Sequence, residues 1–296
     1  MPNVTANGIQ IEYDTFGEKS GKPILLIVGL GCQLIFWSEE FCQQLANSGH
    51  YVIRFDNRDS GLSTKFEEAG VPDLMEAMRQ VMRGEKIEAP YTYDDMADDT
   101  VGIIDTLGIE KAHICGMSMG GAIAQTIAMR HPSRVLSLIP IYGPTGNPKL
   151  PQPKPEILGL LLTPPPEERE SFIDHSMNIF RAFAGSGYEF EESWLRDLAG
   201  RGYDRAFYPQ GMARQFIAGL AHGNRRRRLK TVTAPTLVIQ GDEDPIVPVE
   251  NGREAAEAIP GAELLVINGM GHDIPYRGAW VRIAEAIAEY TRKVVG

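Results

Sequence analysis

Short apolar runs alternate with amphipathic, helix-length segments along most of this chain, and that alternation constrains its fold more than any other feature. Continuous apolar runs, as expected of strands buried on both faces, occupy 23–29, 51–55, 112–116, 135–143, 235–241 and 263–269. Segments with helical spacing of apolar residues separate several of these runs. The pattern predicts an α/β protein, in which helices cover both faces of a parallel sheet.

The two ends of the chain extend this pattern. Asn7-Gly8 separates VTA from the alternating run IQIEY, which predicts a β-hairpin before the first buried strand. At the other end, WVRIAEAIAEYTRKVV predicts a closing helix.

The alternation stops between Gly143 and Lys230, where proline-rich stretches precede helical patterns of large apolar residues. We predict a helical insertion at 144–230 into a core formed by 1–143 and 231–296. The insertion is too small and too dependent on its neighbour to be a free-standing domain. We expect most of its aromatic residues to pack internally and some to line a pocket against the core.

A smaller segment, 65–91, carries an apolar helical face. The face consists of Leu74, Met78, Val81 and Met82. Such a face can cover a site, pack on the body of the protein or join two subunits, and the sequence does not choose between these.

Composition excludes several classes of partner. The formal net charge of −10 argues against nucleic acid or an anionic membrane, because both require clustered Lys and Arg. The one basic run, Arg225–Arg228, is interpreted as a solvated helix end or linker. No apolar stretch approaches the ~20 residues of a membrane helix.

The N-terminus and the cysteines indicate the compartment. The N-terminus lacks signal-peptide features, and three cysteines without metal-type spacing favour a reduced compartment. We therefore expect a cytoplasmic protein, and we expect it to be a monomer or a homodimer.

Ser118 is the first candidate for chemistry. It lies in GMSMGG (116–121), directly after one apolar run and at the start of a helical pattern. This strand–turn–helix setting is what a nucleophile elbow requires, although small residues there also serve close packing. The N–H of Met119, at the start of the helix, would point to where an oxyanion develops.

A serine nucleophile needs a base, because an unassisted hydroxyl reacts poorly at neutral pH. Of the six histidines, His272 follows the last strand in GMGHDIP (269–275), at the same sheet edge as Ser118. The other five are interpreted as structural or surface residues. They are His50, His113, His131, His175 and His222.

The base in turn needs an orienting carboxylate, and GDEDPIVP (241–248) supplies three candidates after the preceding strand. We favour Asp244 because Pro245 fixes the turn beyond it. Asp242 is interpreted as a cap of that turn, and Glu243 remains a competitor. The chain order Ser118, Asp244, His272 is the order found in α/β hydrolases.

With these motifs, the chain resembles the α/β-hydrolase fold superfamily from end to end. GMSMGG is similar to its nucleophile elbow, GDEDPIVP to its acid loop and GMGHDIP to its histidine loop. The resemblance implies a mostly parallel eight-stranded sheet, with the insertion forming a helical cap after the sixth strand. It also implies a Ser-His-Asp triad that uses neither cofactor nor metal.

Two segments depart from the family pattern. Val28-Gly29-Leu30 stands where His-Gly often follows the third strand, and the backbone N–H of Leu30 would be the second oxyanion donor. In DNRDSGLS (56–63), Asp59 replaces a glycine. With that variant, the motifs are similar to aclacinomycin methylesterase and related carboxylesterases.

These observations predict a serine hydrolase that cleaves uncharged, hydrophobic esters, including methyl esters or lactones, through an acyl-enzyme. Several enzymes that share the triad remain alternatives. They are C–C bond hydrolases, cofactor-free perhydrolases, thioesterases and acyl-homoserine-lactone lactonases. An alternative of another class is a ligand-binding homologue without useful turnover.

Overall fold

The N-terminal hairpin and the six apolar runs form one eight-stranded sheet in the computed structural model, which describes residues 2–273 and 277–294. The strands are β1 (Asn3–Ala6), β2 (Ile9–Phe16), β3 (Lys22–Ile27), β4 (His50–Phe55), β5 (Ala112–Met117), β6 (Val135–Ile141), β7 (Leu237–Gly241) and β8 (Glu263–Ile267). Their order across the sheet is β1-β2-β4-β3-β5-β6-β7-β8, and only the pairs made by β2 are antiparallel. The predicted α/β class and mostly parallel sheet are confirmed.

Ten α-helices lie in the described ranges. They are α1 (Glu39–Asn47), α2 (Leu74–Met82), α3 (Tyr93–Thr106), α4 (Met119–Arg130), α5 (Pro155–Leu162), α6 (Arg169–Phe183), α7 (Glu192–Arg205), α8 (Pro209–His222), α9 (Val249–Ala258) and α10 (Ala279–Lys293). The closing helix is confirmed as α10, although Val295 of the predicted segment lies outside the described residues.

Two apolar layers cover the sheet, one on each face. On β3, Leu25 and Ile27 belong to the layer that contains α3 and α4, whereas Ile24 and Leu26 belong to the layer that contains α1 and α10. Successive side chains of a strand point to opposite faces, so a strand covered on both sides reads as an unbroken apolar run.

The parallel strands bring four loops to one edge of the sheet. The loops after β3, β5, β7 and β8 all leave the carboxyl ends of neighbouring parallel strands. Ligand sites of open α/β sheets lie at this edge. Ser118, Asp244 and His272 follow three of these strands, so the topology brings the three residues to one side of the molecule.

Four helices, α5 to α8, lie between β6 and β7 and within 144–230. We call them the helical segment. The predicted helical patterns around Phe172 and Met212 are confirmed as α6 and α8. α7 was not predicted, because its glycines at 200 and 202 lower helix propensity. The packing of Ile173 and Met177 against Leu195 and Ala199 stabilises it.

The 65–91 segment packs on the helical segment. Ala77 of α2 and the nearby Ile87 are buried against Ile217 of α8. Of the apolar face that the sequence predicted, Val81 and Met82 remain 42% and 77% exposed, so packing covers only part of it.

The interpretation of the basic run as solvated is wrong for Arg225. Its guanidinium is buried, lies 5.5 Å from the centre of the Tyr93 ring and donates a hydrogen bond of 2.7 Å to the Pro144 carbonyl. Burial lowers its pKa to about 10. Arg227 and Arg228 are exposed, as expected. Arg225 points inward because α8 ends close to α3. Carbonyl acceptors and the face of an aromatic ring are available to its guanidinium there.

None of the helices in the described part of the chain combines the length and the apolar character needed to cross a bilayer. The same residues contain no group of three or more His, Cys, Asp or Glu placed to hold a metal ion.

Candidate active site

Ser118 occupies a sharp turn between β5 and α4. Its backbone has φ 55° and ψ −121°, a conformation that costs a non-glycine residue about 1–3 kcal/mol and persists only when the surroundings impose it. Its N–H donates a hydrogen bond of 2.9 Å to the carbonyl of Ile141. A side chain at Gly116 would collide with the Gly120 carbonyl, and one at Gly120 with the Ile27 carbonyl. These glycines therefore let the chain turn tightly at Ser118.

Asp244 and His272 form a hydrogen-bonded pair. His272 Nδ1 lies 2.7 Å from Asp244 Oδ2, and the Asp244 side chain is fully buried. Its other oxygen, Oδ1, accepts hydrogen bonds from the N–H groups of Ile246 and Val247, at 2.8 and 2.7 Å. These two bonds fix the plane of the carboxylate, so that Oδ2 is aimed at the imidazole.

The competing carboxylates after β7 have other partners. Asp242 accepts a hydrogen bond of 2.7 Å from the N–H of Gly269, so it holds the histidine loop rather than its own turn. Glu243 accepts hydrogen bonds from the N–H and the hydroxyl of Ser186. Asp244 is therefore the member of GDEDPIVP that contacts His272.

The imidazole of His272 is held between two aromatic rings. The ring centres of Tyr142 and Phe183 lie 4.2 and 5.8 Å from that of His272. The backbone N–H of His272 donates a hydrogen bond of 2.8 Å to the carbonyl of Phe183, at the end of α6. The last two residues of the predicted histidine loop, Ile274 and Pro275, lie outside the described residues.

Sequence reasoning missed Tyr142. It follows β6 with φ 36°, and its hydroxyl donates a hydrogen bond of 2.8 Å to the carbonyl of Asp273. Burial raises the pKa of this phenol well above its usual value, so the ring remains neutral beside His272. A tyrosine after a strand carries no pattern of its own that would have revealed this contact.

The predicted oxyanion donors belong to two chain segments, the start of α4 and the loop after β3. Met119 is the first residue of α4, where the helix dipole presents its positive end. The loop after β3 passes close by, because a Cβ built on Gly29 would lie 3.4 Å from that of Ser118. Among residues 2–273 and 277–294, the N–H groups of Met119 and Leu30 have no hydrogen-bond acceptor within the protein. Leu30 lines a cavity, and Met119 directly follows Ser118, which also lines it.

Ser118, His272 and Leu30 line one cavity of about 250 Å³, which opens between the core and the helical segment. In the described residues no hydrogen bond joins the Ser118 hydroxyl to the imidazole. Most of the wall is apolar and aromatic. This confirms the expectation that some aromatic residues of the helical segment line a pocket against the core. It includes Phe36, Leu161, Phe172, Ile179, Phe180, Phe183, Phe207 and Met212. None of the described lining residues is a lysine or an arginine.

The five other histidines were interpreted as structural or surface residues, and His175 is an exception. His50, His113 and His131 are hydrogen-bonded to neighbouring residues away from the cavity. His175 of α6, by contrast, lines the cavity, and burial lowers its pKa. The spacing along α6 predicted only its apolar face, so the orientation of His175 depends on how the helix docks.

Asp59, which departs from the family pattern, makes a contact between the core and the helical segment. Its φ is 63°, a conformation that glycine adopts freely and aspartate tolerates better than most residues. The buried carboxylate accepts two hydrogen bonds from Arg214 of α8, at 2.9 and 2.8 Å, and one from the Tyr91 hydroxyl at 2.7 Å. The substitution thus links the loop after β4 to α8.

Comparison with known proteins identifies the family to which the chain belongs. A family model described as alpha/beta hydrolase fold matches residues 22–279. Rhodomycin D methylesterase DnrP of Streptomyces peucetius is 29% identical over 98% of this chain and 97% of its own length. A 2-hydroxy-6-oxononadienedioate/2-hydroxy-6-oxononatrienedioate hydrolase of Burkholderia vietnamiensis is 30% identical over 98% of this chain and 94% of its own.

A solved structure shows the same fold. The enol-lactonase from Burkholderia xenovorans superimposes with a TM-score of 0.73 at 19% identity, covering 99% of this chain and all of that one. The methylesterase among the relatives agrees with the similarity seen in the motifs. The chain is a hydrolase that belongs to the alpha/beta hydrolase fold family.

Proposed function

We propose that this protein hydrolyses carboxylic esters through an acyl-enzyme formed on Ser118. The observation that carries the proposal is the buried Asp244–His272 pair, whose imidazole lines the same cavity as a serine held on a strained turn. A nucleophile, a base and an orienting carboxylate with these contacts are the parts that acyl transfer requires.

The steps follow from these positions. His272 Nε2 takes the proton of the Ser118 hydroxyl as the oxygen attacks the ester carbonyl. Asp244 keeps the proton of His272 on Nδ1 and stabilises the imidazolium that forms. The imidazolium then protonates the leaving alcohol. Water, activated by the same imidazole, attacks the acyl-enzyme and releases the acid and Ser118.

The oxyanion of the tetrahedral intermediate would lie between the N–H groups of Met119 and Leu30. Both are free of acceptors within the described part of the chain, and the first also benefits from the dipole of α4. One such donor contributes about 3–4 kcal/mol to lowering the barrier.

The cavity wall favours an uncharged, hydrophobic ester or lactone. A carboxylate buried against apolar walls requires a cationic partner, and no Lys or Arg is found among the described lining residues. The methylesterase relatives fit this chemistry better than the dioate hydrolases, whose substrates carry two carboxylates by name. We therefore assign the helical segment the role of a cap that encloses the apolar part of the substrate.

Ser118→Ala tests the proposal. We expect turnover of a p-nitrophenyl short-chain ester to fall by about 10⁴-fold or more and labelling by a fluorophosphonate to disappear, because both reactions need the serine oxygen. Ser133→Ala is the control, since Ser133 is exposed in the turn before β6 and should leave both reactions unchanged. Retained labelling of the Ser118→Ala protein would exclude Ser118 as the nucleophile.

A second experiment tests the substrate class. Apolar methyl esters are compared with esters of the same size that carry a free carboxylate, and with a dienedioate in a C–C cleavage assay. We expect kcat/KM for the neutral esters to be at least about 100-fold higher, because the cavity offers the carboxylate no cation. Efficient cleavage of the dienedioate would favour a C–C bond hydrolase instead.

A further inference from the structure

The loop after β3 contacts the helical segment directly. The N–H of Gly31 donates a hydrogen bond of 2.9 Å to Oε1 of Gln215, and Nε2 of Gln215 donates one of 2.8 Å to the carbonyl of Arg58. Gln215 lies on α8 and is fully buried. One side chain of the helical segment therefore bridges the loop after β3 to the loop after β4.

A second residue of α8 packs on the same glycine. Gly31 has φ 68°, and a Cβ built there would lie 2.9 Å from Cγ of Met212. Residues 212 and 215 are three apart on a helix, so their side chains point to the same side. Gly31 is thus held by a hydrogen bond and by van der Waals contact with one face of α8.

The adjacent residue of α8 fixes the helix to the core. Arg214 pairs with the buried Asp59 through two hydrogen bonds, and its Nη1 donates one of 2.7 Å to the carbonyl of Gly70. This pair prevents α8 from sliding along the core, and so it sets the position from which Gln215 reaches Gly31.

We propose that Gln215 is a positioning residue that places the Leu30 N–H for the oxyanion. The inference rests on the proposed function, in which that N–H stabilises the tetrahedral intermediate. Leu30 directly precedes Gly31, so the hydrogen bond from Gln215 fixes the chain one residue beyond the donor. An oxyanion donor acts only within a narrow range of positions, at about 2.7–3.1 Å from the oxygen. The amide of Gln215 then couples the position of the cap to the position of the Leu30 N–H.

The test is Gln215→Met, which keeps the length of the side chain and removes both hydrogen bonds. We expect kcat for a p-nitrophenyl ester to fall by about 10- to 100-fold while KM changes by less than about threefold, because the lost contact acts mainly in the transition state. The Ki of an alkyl trifluoromethyl ketone, which adds to Ser118 and carries an oxyanion, should rise in proportion to the fall in kcat/KM. A merely structural role would not produce that proportionality.

Gln125→Met is the matched control. Gln125 is equally buried and hydrogen-bonded, but its partners are the carbonyl of Gly143 and Arg225 rather than the loop after β3. We expect this variant to lose stability without a change in kcat. If Gln215→Met does not fold, Gln215→Asn tests the same bridge, because its side chain is one methylene too short to span Gly31 and Arg58.

The outcomes separate this inference from the proposed function. If Ser118→Ala abolishes turnover while folded Gln215→Met keeps the kcat of the unmodified protein, Gln215 does not position the donor. A rise in KM alone, with the Ki of the ketone unchanged, likewise overturns the inference and leaves Gln215 with a role in binding. If Ser118→Ala retains turnover, the proposed function itself is wrong.

Discussion

The two sides of Ser118 are built differently. On one side, the Asp244 carboxylate is held by the core, since it accepts hydrogen bonds from two N–H groups of its own loop. On the other side, the loop after β3 is held by the helical segment through Gln215. The position of the Asp244 carboxylate is therefore set by its own loop at the sheet edge, whereas the loop after β3 also depends on how the helical segment docks.

Gln33 extends this dependence along the same loop. Its Nε2 donates hydrogen bonds of 2.7 and 3.1 Å to the carbonyls of Gly202 and Ala206, and its Oε1 accepts one of 2.8 Å from Arg205. On the histidine side, the helical segment contributes the Phe183 carbonyl to the His272 N–H. The helical segment therefore contributes to both sides of Ser118, whereas the Asp244 carboxylate is held by its own loop.

The largest effect is expected from Asp244→Asn, which breaks the core-held side. The amide would still accept from the N–H groups of Ile246 and Val247, but its NH₂ would face His272 Nδ1 and impose the wrong tautomer. We expect kcat to fall by about 10⁴-fold with little change in stability. Steady-state kinetics measure kcat, and thermal unfolding measures the stability.

Asp242→Asn is the control for that change. Asp242 follows the same strand and accepts one hydrogen bond, from Gly269, without touching His272. The kcat of the Asp242→Asn variant should stay within about threefold of the kcat of the unmodified protein. An equal loss of kcat in both variants would show that the acid loop, and not the Asp244 carboxylate, is what His272 requires.

Arg214→Met breaks the contact that holds the helical segment on the core. It leaves the Asp59 carboxylate buried without its cation, so we expect the free energy of unfolding to fall by about 3–5 kcal/mol. Arg169→Met is the matched control, because its pair with Asp204 is exposed to solvent and its loss should change the free energy of unfolding much less. Denaturant titrations of the two variants give the comparison, and equal losses would contradict it.

The smallest effect is expected at Cys32, on the oxyanion side of the cavity. Burial raises the pKa of its thiol to about 12, so the reactive thiolate is scarce at pH 8. We expect iodoacetamide to leave Cys32 unmodified and kcat unchanged over an hour of treatment, with mass spectrometry as the measurement. The denatured chain should be alkylated at all three cysteines. Rapid alkylation of Cys32 in the folded protein would contradict the raised pKa of its thiol.

The eight strands and the order of Ser118, Asp244 and His272 could be predicted because their signals are local. Six strands are apolar runs in sequence, two form a hairpin around Asn7-Gly8, and each of the three motifs lies at the end of one strand. The choice of Asp244 over Asp242 and Glu243 depended on Pro245, and the contacts of the three carboxylates agree with it.

Tyr142, His175 and Gln215 could not be predicted, because their roles depend on elements that are distant in sequence. Gln215 and Gly31 are 184 residues apart, and neither lies in a motif. Arg225 was misread for the same reason, since a run of arginines is solvated unless a buried acceptor meets one of them.

The sequence by itself determined the sheet, the strained turn at Ser118 and the loops that carry the acid and the histidine. Periodicity and turn chemistry act over a few residues, so they can be read from the chain directly. Only the tertiary structure decided what holds the loop after β3 and what lines the cavity. Those contacts arise when α8 docks on the core, where the buried Asp59 at an unusual backbone conformation meets Arg214.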